Sequence, residues 1–157
     1  VQRHYLEQIL EAANQRFQDM SAGQFELRMC DIDKAGTGKN RGLDLMVYSA
    51  VTGKVREVRT LSGGESFMAA LSLALGMADQ IQESSAAINL DMMFIDEGFG
   101  TLDPDTLELA METLVQLQSS GRLIGMISHV PELKTRIPAH LEVTRGDDGS
   151  TAKFVIN

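Results

Sequence analysis

The sequence predicts an α/β fold: parallel core strands with flanking helices, plus antiparallel strands, led by an amphipathic helix. Three observations predict it. The apolar run Leu90-Asp91-Met92-Met93-Phe94-Ile95 stops at two carboxylates, Asp96 and Glu97, and a short Met-, Phe- and Ile-rich run of this kind reads as a buried strand. A second run, Leu123 to Ser128, ends at His129 and follows a helical pattern. Strand, helix and strand then form a right-handed crossover with parallel strands. Ahead of both, residues 24–31 and 42–48 alternate apolar and polar side chains, as antiparallel strands with one wet face do.

The leading helix covers residues 1–20. Leu6, Leu10, Ala13, Phe17 and Met20 follow alternating steps of four and three, the spacing of a heptad. Arg3, Glu7, Glu11 and Arg16 fill the other faces. Two heptads suit a coiled-coil segment or an ordinary amphipathic helix packed on the domain. Ser21-Ala22-Gly23 ends it. In the first strand Phe25, Leu27 and Met29 point one way; in the second Leu43, Leu45 and Val47 do. A weaker third strand, residues 54–60, centres on Val55 and Val58.

The connector Asp33 to Asn40 contains Gly38-Lys39 and invites comparison with a phosphate loop. Asn40 stands where Ser or Thr is needed and Asp33 where Gly is needed, so the GxxxxGK[ST] pattern fails twice. It reads as a hairpin loop, as does Thr52-Gly53. No other stretch supplies a phosphate loop.

Thr60-Leu61-Ser62-Gly63-Gly64-Glu65-Ser66 leads into an apolar helix. Ser62 and Glu65 have the spacing of a capping box. Gly63 and Gly64 are poor first-turn residues and imply a close approach to the backbone. Free amides at a helix start, with a serine hydroxyl, make an anion site suited to a phosphate. The helix is apolar almost all round and is expected to be buried. A polar stretch follows at Gln82-Glu83-Ser84-Ser85.

At the end of the next strand, pleat alternation sends Asp96 and Glu97 to opposite faces. That favours a division of labour, one carboxylate for a metal ion and the other for a reacting water. Asp103-Pro104 is an N-cap with Pro at the first helical position. Leu107, Met111, Leu114 and Leu117 form that helix's apolar face, and Gly121 ends it. In a parallel pair, Glu97 and His129 share one sheet edge, where open α/β sheets place ligands. Pro131 to Arg136 reads as a short helix. Residues 140–145 and 151–156 read as a hairpin turning at Gly146-Asp147-Asp148-Gly149.

With 157 residues, 43% hydrophobic and 23% charged, the chain has the make-up of one globular domain with a sizeable core. No run is long enough to span a bilayer. The opening Val1-Gln2-Arg3-His4 carries no secretory pattern, and the missing initiating Met suggests a fragment or processed piece. One cysteine, Cys30, allows no internal disulfide and fits a reducing, cytoplasmic compartment. With no His or Cys cluster nearby, it reads as a packed thiol rather than a nucleophile. A net charge of −8 argues against a strongly basic nucleic-acid surface on this piece.

Four stretches carry a resemblance. Leu61-Ser62-Gly63-Gly64-Glu65 resembles the signature motif of ABC-type ATPases. Leu90 to Glu97 resembles their Walker B strand with its catalytic glutamate, Thr101-Leu102-Asp103 their D-loop, and Ser128-His129 their switch histidine. Phe94 to Asp103, Gly121 to Val130 and the heptad-like helix make the chain most similar to the SbcC family, ATPase subunits of bacterial SbcCD nucleases. The resemblance covers essentially the whole chain. It lacks the family's Walker A loop and Q-loop glutamine, which belong to an N-terminal half beyond a long antiparallel coiled coil. The resemblance therefore implies the C-terminal lobe of a P-loop ATPase head, residues 21–157, with residues 1–20 as a coiled-coil base.

It also implies roles. Asp96 orients water around Mg²⁺. Glu97 is the general base, or positions the water, for attack on the γ-phosphate of ATP, and His129 contacts that phosphate. Ser62, Gly63 and Gly64, with Glu65, serve the nucleotide of a second head in trans, and Asp103 lies at the dimer interface. Implied partners are the N-terminal half, a second head, an SbcD-like metallonuclease and DNA through the assembled complex, with no membrane. ATPase activity is expected only when the N-terminal half completes the site; the isolated chain is expected to be inactive. Two other readings stay open: an SMC- or RecN-like head that tethers chromosomes, and an interaction lobe that no longer hydrolyses ATP.

Overall fold

The computed structural model describes residues 2–29, 45–84, 91–119 and 121–156. Cys30, the connector 33–40, Leu43 and Leu90 lie outside the described residues. Helix α1 (Gln2–Met20) is followed by β1 (Phe25–Met29), β2 (Leu45–Ser49) and β3 (Lys54–Glu57). Helix α2 (Gly63–Ser84), β4 (Met92–Asp96), α3 (Pro104–Ser119), β5 (Leu123–Ile127) and α4 (Pro131–Arg136) come next. Strands β6 (Ala139–Gly146) and β7 (Gly149–Ile156) close the described chain.

Strands β1, β2 and β3 form an antiparallel sheet in that order, with Leu27 opposite Val47 and Tyr48 opposite Val55. Among the described residues β1 is an edge, and an open edge invites unwanted pairing. Asn14 of α1 closes it. Its side-chain amide donates to Leu27 O at 2.8 Å and its carbonyl accepts from Leu27 N at 2.7 Å, so one side chain stands in for a missing strand.

The core lies where α1, α2, α3 and the inner faces of the sheets meet. Ile9, Leu10, Ala13, Phe17 and Met20 of α1 are buried, and Leu6 packs half-buried beside them. Phe17 stacks on Phe25 at 5.9 Å. Burying a side chain such as Phe17, Met20 or Leu75 is worth about 1.5–3 kcal/mol. The helix ends in two bonds, Gly23 N to Gln18 O and Ala22 N to Asp19 O, with Ala22 and Gly23 left-handed. These satisfy carbonyls the helix would otherwise leave bare.

Helices α1 and α2 cross closely. A Cβ on Gly76 would sit 2.6 Å from Ile9 O and 2.9 Å from Ala13 N, so only a glycine lets the two backbones meet. Beside this crossing, Asp79 receives Arg16 of α1 at 2.5 Å and Arg122, next to β5, at 2.7 Å. Arg122 also donates to Gln82 at 2.6 Å. One carboxylate thereby ties two helices to the start of a sheet strand.

Strands β4 and β5 pair in parallel, Phe94 opposite Gly125 and Asp96 opposite Ile127. The expectation of fully buried core strands needs correction. Met93 and Ile95 face the core, but Met92, Phe94, Leu123 and Ile127 are exposed, Phe94 to 70%. The second face of this sheet has no layer over it among the described residues. The same holds for α2, expected to be buried all round. Met68, Leu71, Ser72, Leu75 and Ala78 are buried, whereas Ala70, Ala74 and Met77 face outward. The hairpin β6–β7 turns at Asp147-Asp148 as expected, and sets Leu141 opposite Phe154 on an exposed apolar face.

Gly76→Ala tests the crossing. Helix propensity alone favours Ala by about 1 kcal/mol, but overpacking against backbone costs ~1–3 kcal/mol. A lower urea midpoint is expected for the folded head; a higher one would show that α1 yields.

Candidate functional site

Two groups of predicted residues are brought together, and the loop between β4 and α3 joins them. The first group stands at the carboxyl ends of β4 and β5. Asp96 is the last residue of β4 and is exposed on the open face with Met92 and Phe94. Glu97 N donates to Ile127 O at 2.8 Å, which prolongs the parallel ladder by one bond. Here the chain turns sharply, with φ of 58° at Glu97 and 102° at Gly98. The left-handed region costs a non-glycine residue about 1–2 kcal/mol, and such outliers cluster where geometry serves a site. Asp96 and Glu97 are thus separated by a left-handed turn, not by the pleat alternation that the sequence suggested.

The turn brings Glu97 to His129. Oε2 of Glu97 lies 2.9 Å from Nδ1 of His129, and the ring is 79% exposed. A ring N–H on Nδ1 donates to the carboxylate and leaves Nε2 facing outward beside Gly100. This pair is set by the parallel register, which levels the ends of β4 and β5.

The second group opens α2. Ser62 and Glu65 form the reciprocal capping box: Ser62 N donates to Glu65 Oε2 at 2.8 Å, and Glu65 N to Ser62 Oγ at 3.3 Å. Ser66 N reaches Ser62 O. The Gly63 and Gly64 amides remain as donors without a helical acceptor, and the Ser62 hydroxyl keeps its hydrogen for another acceptor. The expected close approach to these glycines is present within the chain itself. A Cβ on Gly64 would fall 2.9 Å from Thr101 O, and one on Gly63 3.5 Å from the Thr101 side chain.

Between the groups, Gly98 is followed by a 3₁₀ turn, Phe99–Thr101, and then by α3. Asp103 caps α3, accepting from Thr106 N at 3.0 Å and Thr106 Oγ1 at 2.7 Å. These bonds, the side-chain one first, hold its carboxyl below the ordinary value of 3.8. Among the described residues no hydrogen bond joins the Ser62 group to Glu97 or His129.

No group of three or more His, Cys, Asp or Glu that could hold a metal occurs among the described residues. A single exposed carboxylate such as Asp96 fits Mg²⁺, which keeps its waters and takes one or two carboxylates plus phosphate oxygens rather than a protein cage. No helix of the described residues is long and apolar enough to cross a membrane.

Sequence reasoning missed two residues. Arg56 of β3 donates to Glu65 Oε2 at 3.1 Å and to Thr60 O at 3.4 Å, bracing the capping box from outside. Phe67 packs on Gly98. A capping-box spacing says nothing of what holds its glutamate, and no pattern in a single sequence announces either contact.

The family description "SbcC/RAD50-like, Walker B motif" matches residues 42–116. The SbcC component of nuclease SbcCD from Vibrio cholerae serotype O1 is 51% identical over 150 residues, covering 96% of this chain and 15% of that protein. The chain belongs to the SbcC/RAD50-like family. It corresponds to the C-terminal, Walker B part of an SbcC head, and it spans about 15% of the length of the curated relatives it matches. A structure solved in work on "ATP-driven dimerization and DNA stimulated activation of SMC ATPases" superposes with a TM-score of 0.72 at 17% identity, covering 98% of this chain and 86% of that one. An Smc head bound to the C-winged helix domain of ScpA gives 0.68 at 19% identity, covering 96% and 43%. These likenesses show the fold, an SMC-head-like α/β lobe with parallel and antiparallel strands.

Gly98→Ala tests the turn that carries Glu97. A Cβ there would run into the Phe67 ring and must also adopt φ near 102°. A loss of about 2 kcal/mol or more is expected in chemical denaturation; a neutral result would mean that the turn relaxes freely.

Proposed function

We propose that this chain is one lobe of an ATP-hydrolysing head that controls a DNA-end-processing nuclease. The observation that carries the reading is the Glu97–His129 pair, 2.9 Å apart at the carboxyl ends of two parallel strands and one residue beyond Asp96. Phosphoryl transfer depends mainly on positioning and charge neutralisation. Glu97 takes the proton of the attacking water or orients it. His129 contacts the γ-phosphate through Nε2, and Asp96 would orient the waters around a bound Mg²⁺. The metal supplies charge neutralisation on the phosphate oxygens when bound. Ser62, Gly63 and Gly64 bind the γ-phosphate of the nucleotide held by a second head, Glu65 fixes the shape of their turn, and Asp103 lies at the interface between heads.

The partners follow from what is uncovered. Met92, Phe94, Leu123 and Ile127 on one sheet, and Leu141, Val143, Phe154 and Ile156 on the hairpin, are exposed apolar side chains. Contiguous apolar faces mark interaction surfaces. The N-terminal half of the head, with the Walker A loop, is the proposed cover. Residues 1–20 are the base of the coiled-coil arm, and residues 21–157 the lobe. An SbcD-like metallonuclease and DNA complete the assembly. A chromosome-tethering head of the SMC type shares the fold, but 51% identity to an SbcC protein against 17–19% to SMC heads favours the first reading. Co-purification with a metallonuclease separates the two.

Three measurements test this. ATPase activity is expected in the mixture of this chain with the N-terminal half and not in either alone; turnover or micromolar ATP binding by the chain alone would sink the split-site reading. In the reconstituted head, Glu97→Gln should lower kcat by ~10²- to 10⁴-fold, the range of general acid–base contributions; an unchanged rate removes Glu97 from the chemistry. Ser62→Arg should abolish ATP-driven dimerisation on a sizing column by filling the anion site, and normal dimerisation refutes the role in trans.

A further inference from the structure

We propose that Phe67 is a positioning residue for the hydrolysis reaction, acting through the Glu97–Gly98 turn; this rests on the function proposed above. Glu97 gains its orientation from two successive left-handed residues, a conformation that must be held by its surroundings. Three contacts hold it. Glu97 N is bonded to Ile127 O on the sheet side. Thr101 closes the far side, with both N and Oγ1 donating to Gly98 O, at 3.2 and 2.7 Å. The remaining side is taken by the Phe67 ring. Ring carbons Cδ2 and Cε2 lie so close to Gly98 that no Cβ could stand between them and the backbone. The ring is itself set by an edge-on contact with Phe99, centroids 4.9 Å apart at 65°, and Phe99 is almost wholly buried.

Phe67 is the fifth residue of α2, one turn beyond the glycines at the helix start. The segment that presents Ser62 to one nucleotide thus carries the ring that fixes Glu97 for another. Removing the ring opens the space over Gly98 and lets the turn visit other backbone states, so the carboxylate spends less time aimed at His129. The loss belongs to turnover, since nothing in this contact touches Ser62 or Asp103.

The test uses the complete head, with the N-terminal half restored. Phe67→Ala should lower kcat by roughly 10- to 100-fold, the scale of a misplaced catalytic group, while KM for ATP and ATP-driven dimerisation on a sizing column stay within about twofold. Phe67→Tyr, which keeps the ring, should restore most of kcat; Phe67→Leu, which keeps apolar bulk without a flat face, should fall between. If the Ala variant does not fold, the Tyr and Leu variants carry the test through the same ordering. Equal kcat across the folded variants overturns the proposal, as does loss of dimerisation in step with kcat, which would place the ring's role at the signature turn. Should Glu97→Gln also leave the rate unchanged, the hydrolytic reading itself has failed; an inactive Glu97→Gln beside a normal Phe67→Ala removes only Phe67.

Discussion

Helix α2 is held at its start and past its middle by backbone contacts that tolerate no side chain. At Gly76 it meets Ile9 O and Ala13 N of α1, and at Gly64 it meets Thr101 O of the loop after β4. Contacts of this kind leave little room for sliding, because close-packed interiors transmit displacement rather than absorb it. Helix α1, the capping-box turn and the Glu97 loop are therefore spaced by one rod. Asp79, gripped by Arg16 and Arg122, adds a second tie between that rod and the β4–β5 sheet.

Much of this was legible in the sequence because local rules and tertiary structure agree. Ser62 with Glu65 and Asp103 with Pro104 are satisfied by bonds inside one helical turn, so spacing alone finds them. The alternation of Phe25, Leu27 and Met29 survives because β1 has a wet face and a dry one. The pairing of Glu97 with His129 needed only a parallel crossover of ordinary length. The expectation of full burial failed for one physical reason. An apolar run reads as buried, yet Phe94, Leu123 and Met77 are exposed, because a sequence encodes the need for a cover without saying whether that cover is on the same chain. The left-handed turn at Glu97 was invisible for another reason: the Phe67 ring packed on the next residue, Gly98, comes from a different element, outside the strand pattern.

Gly63 and Gly64 at the start of α2 answer to a contact inside the chain. Gly63 and Gly64 do let something approach the backbone, and Thr101 is that neighbour. Their amides still point out of the helix start, unclaimed by any helical carbonyl. On the proposed reading the anion would use these amides, while the Cα side stays packed on Thr101. Arg56 and Glu65 brace the same turn from outside.

The exposure of the Glu97–His129 pair bears on when it can act. In water, a pair this open contributes little to stability. Polar groups aimed at a developing charge act strongly only where water is excluded and the effective dielectric falls. Nothing among the described residues of the lobe excludes water from Nε2 of His129, with its ring 79% exposed. On the proposed reading, the missing wall comes from the other half of the head and from a second head. The chemistry is then latent in this lobe and gains strength only as those surfaces close, which ties turnover to assembly without requiring any residue here to change its partner beforehand.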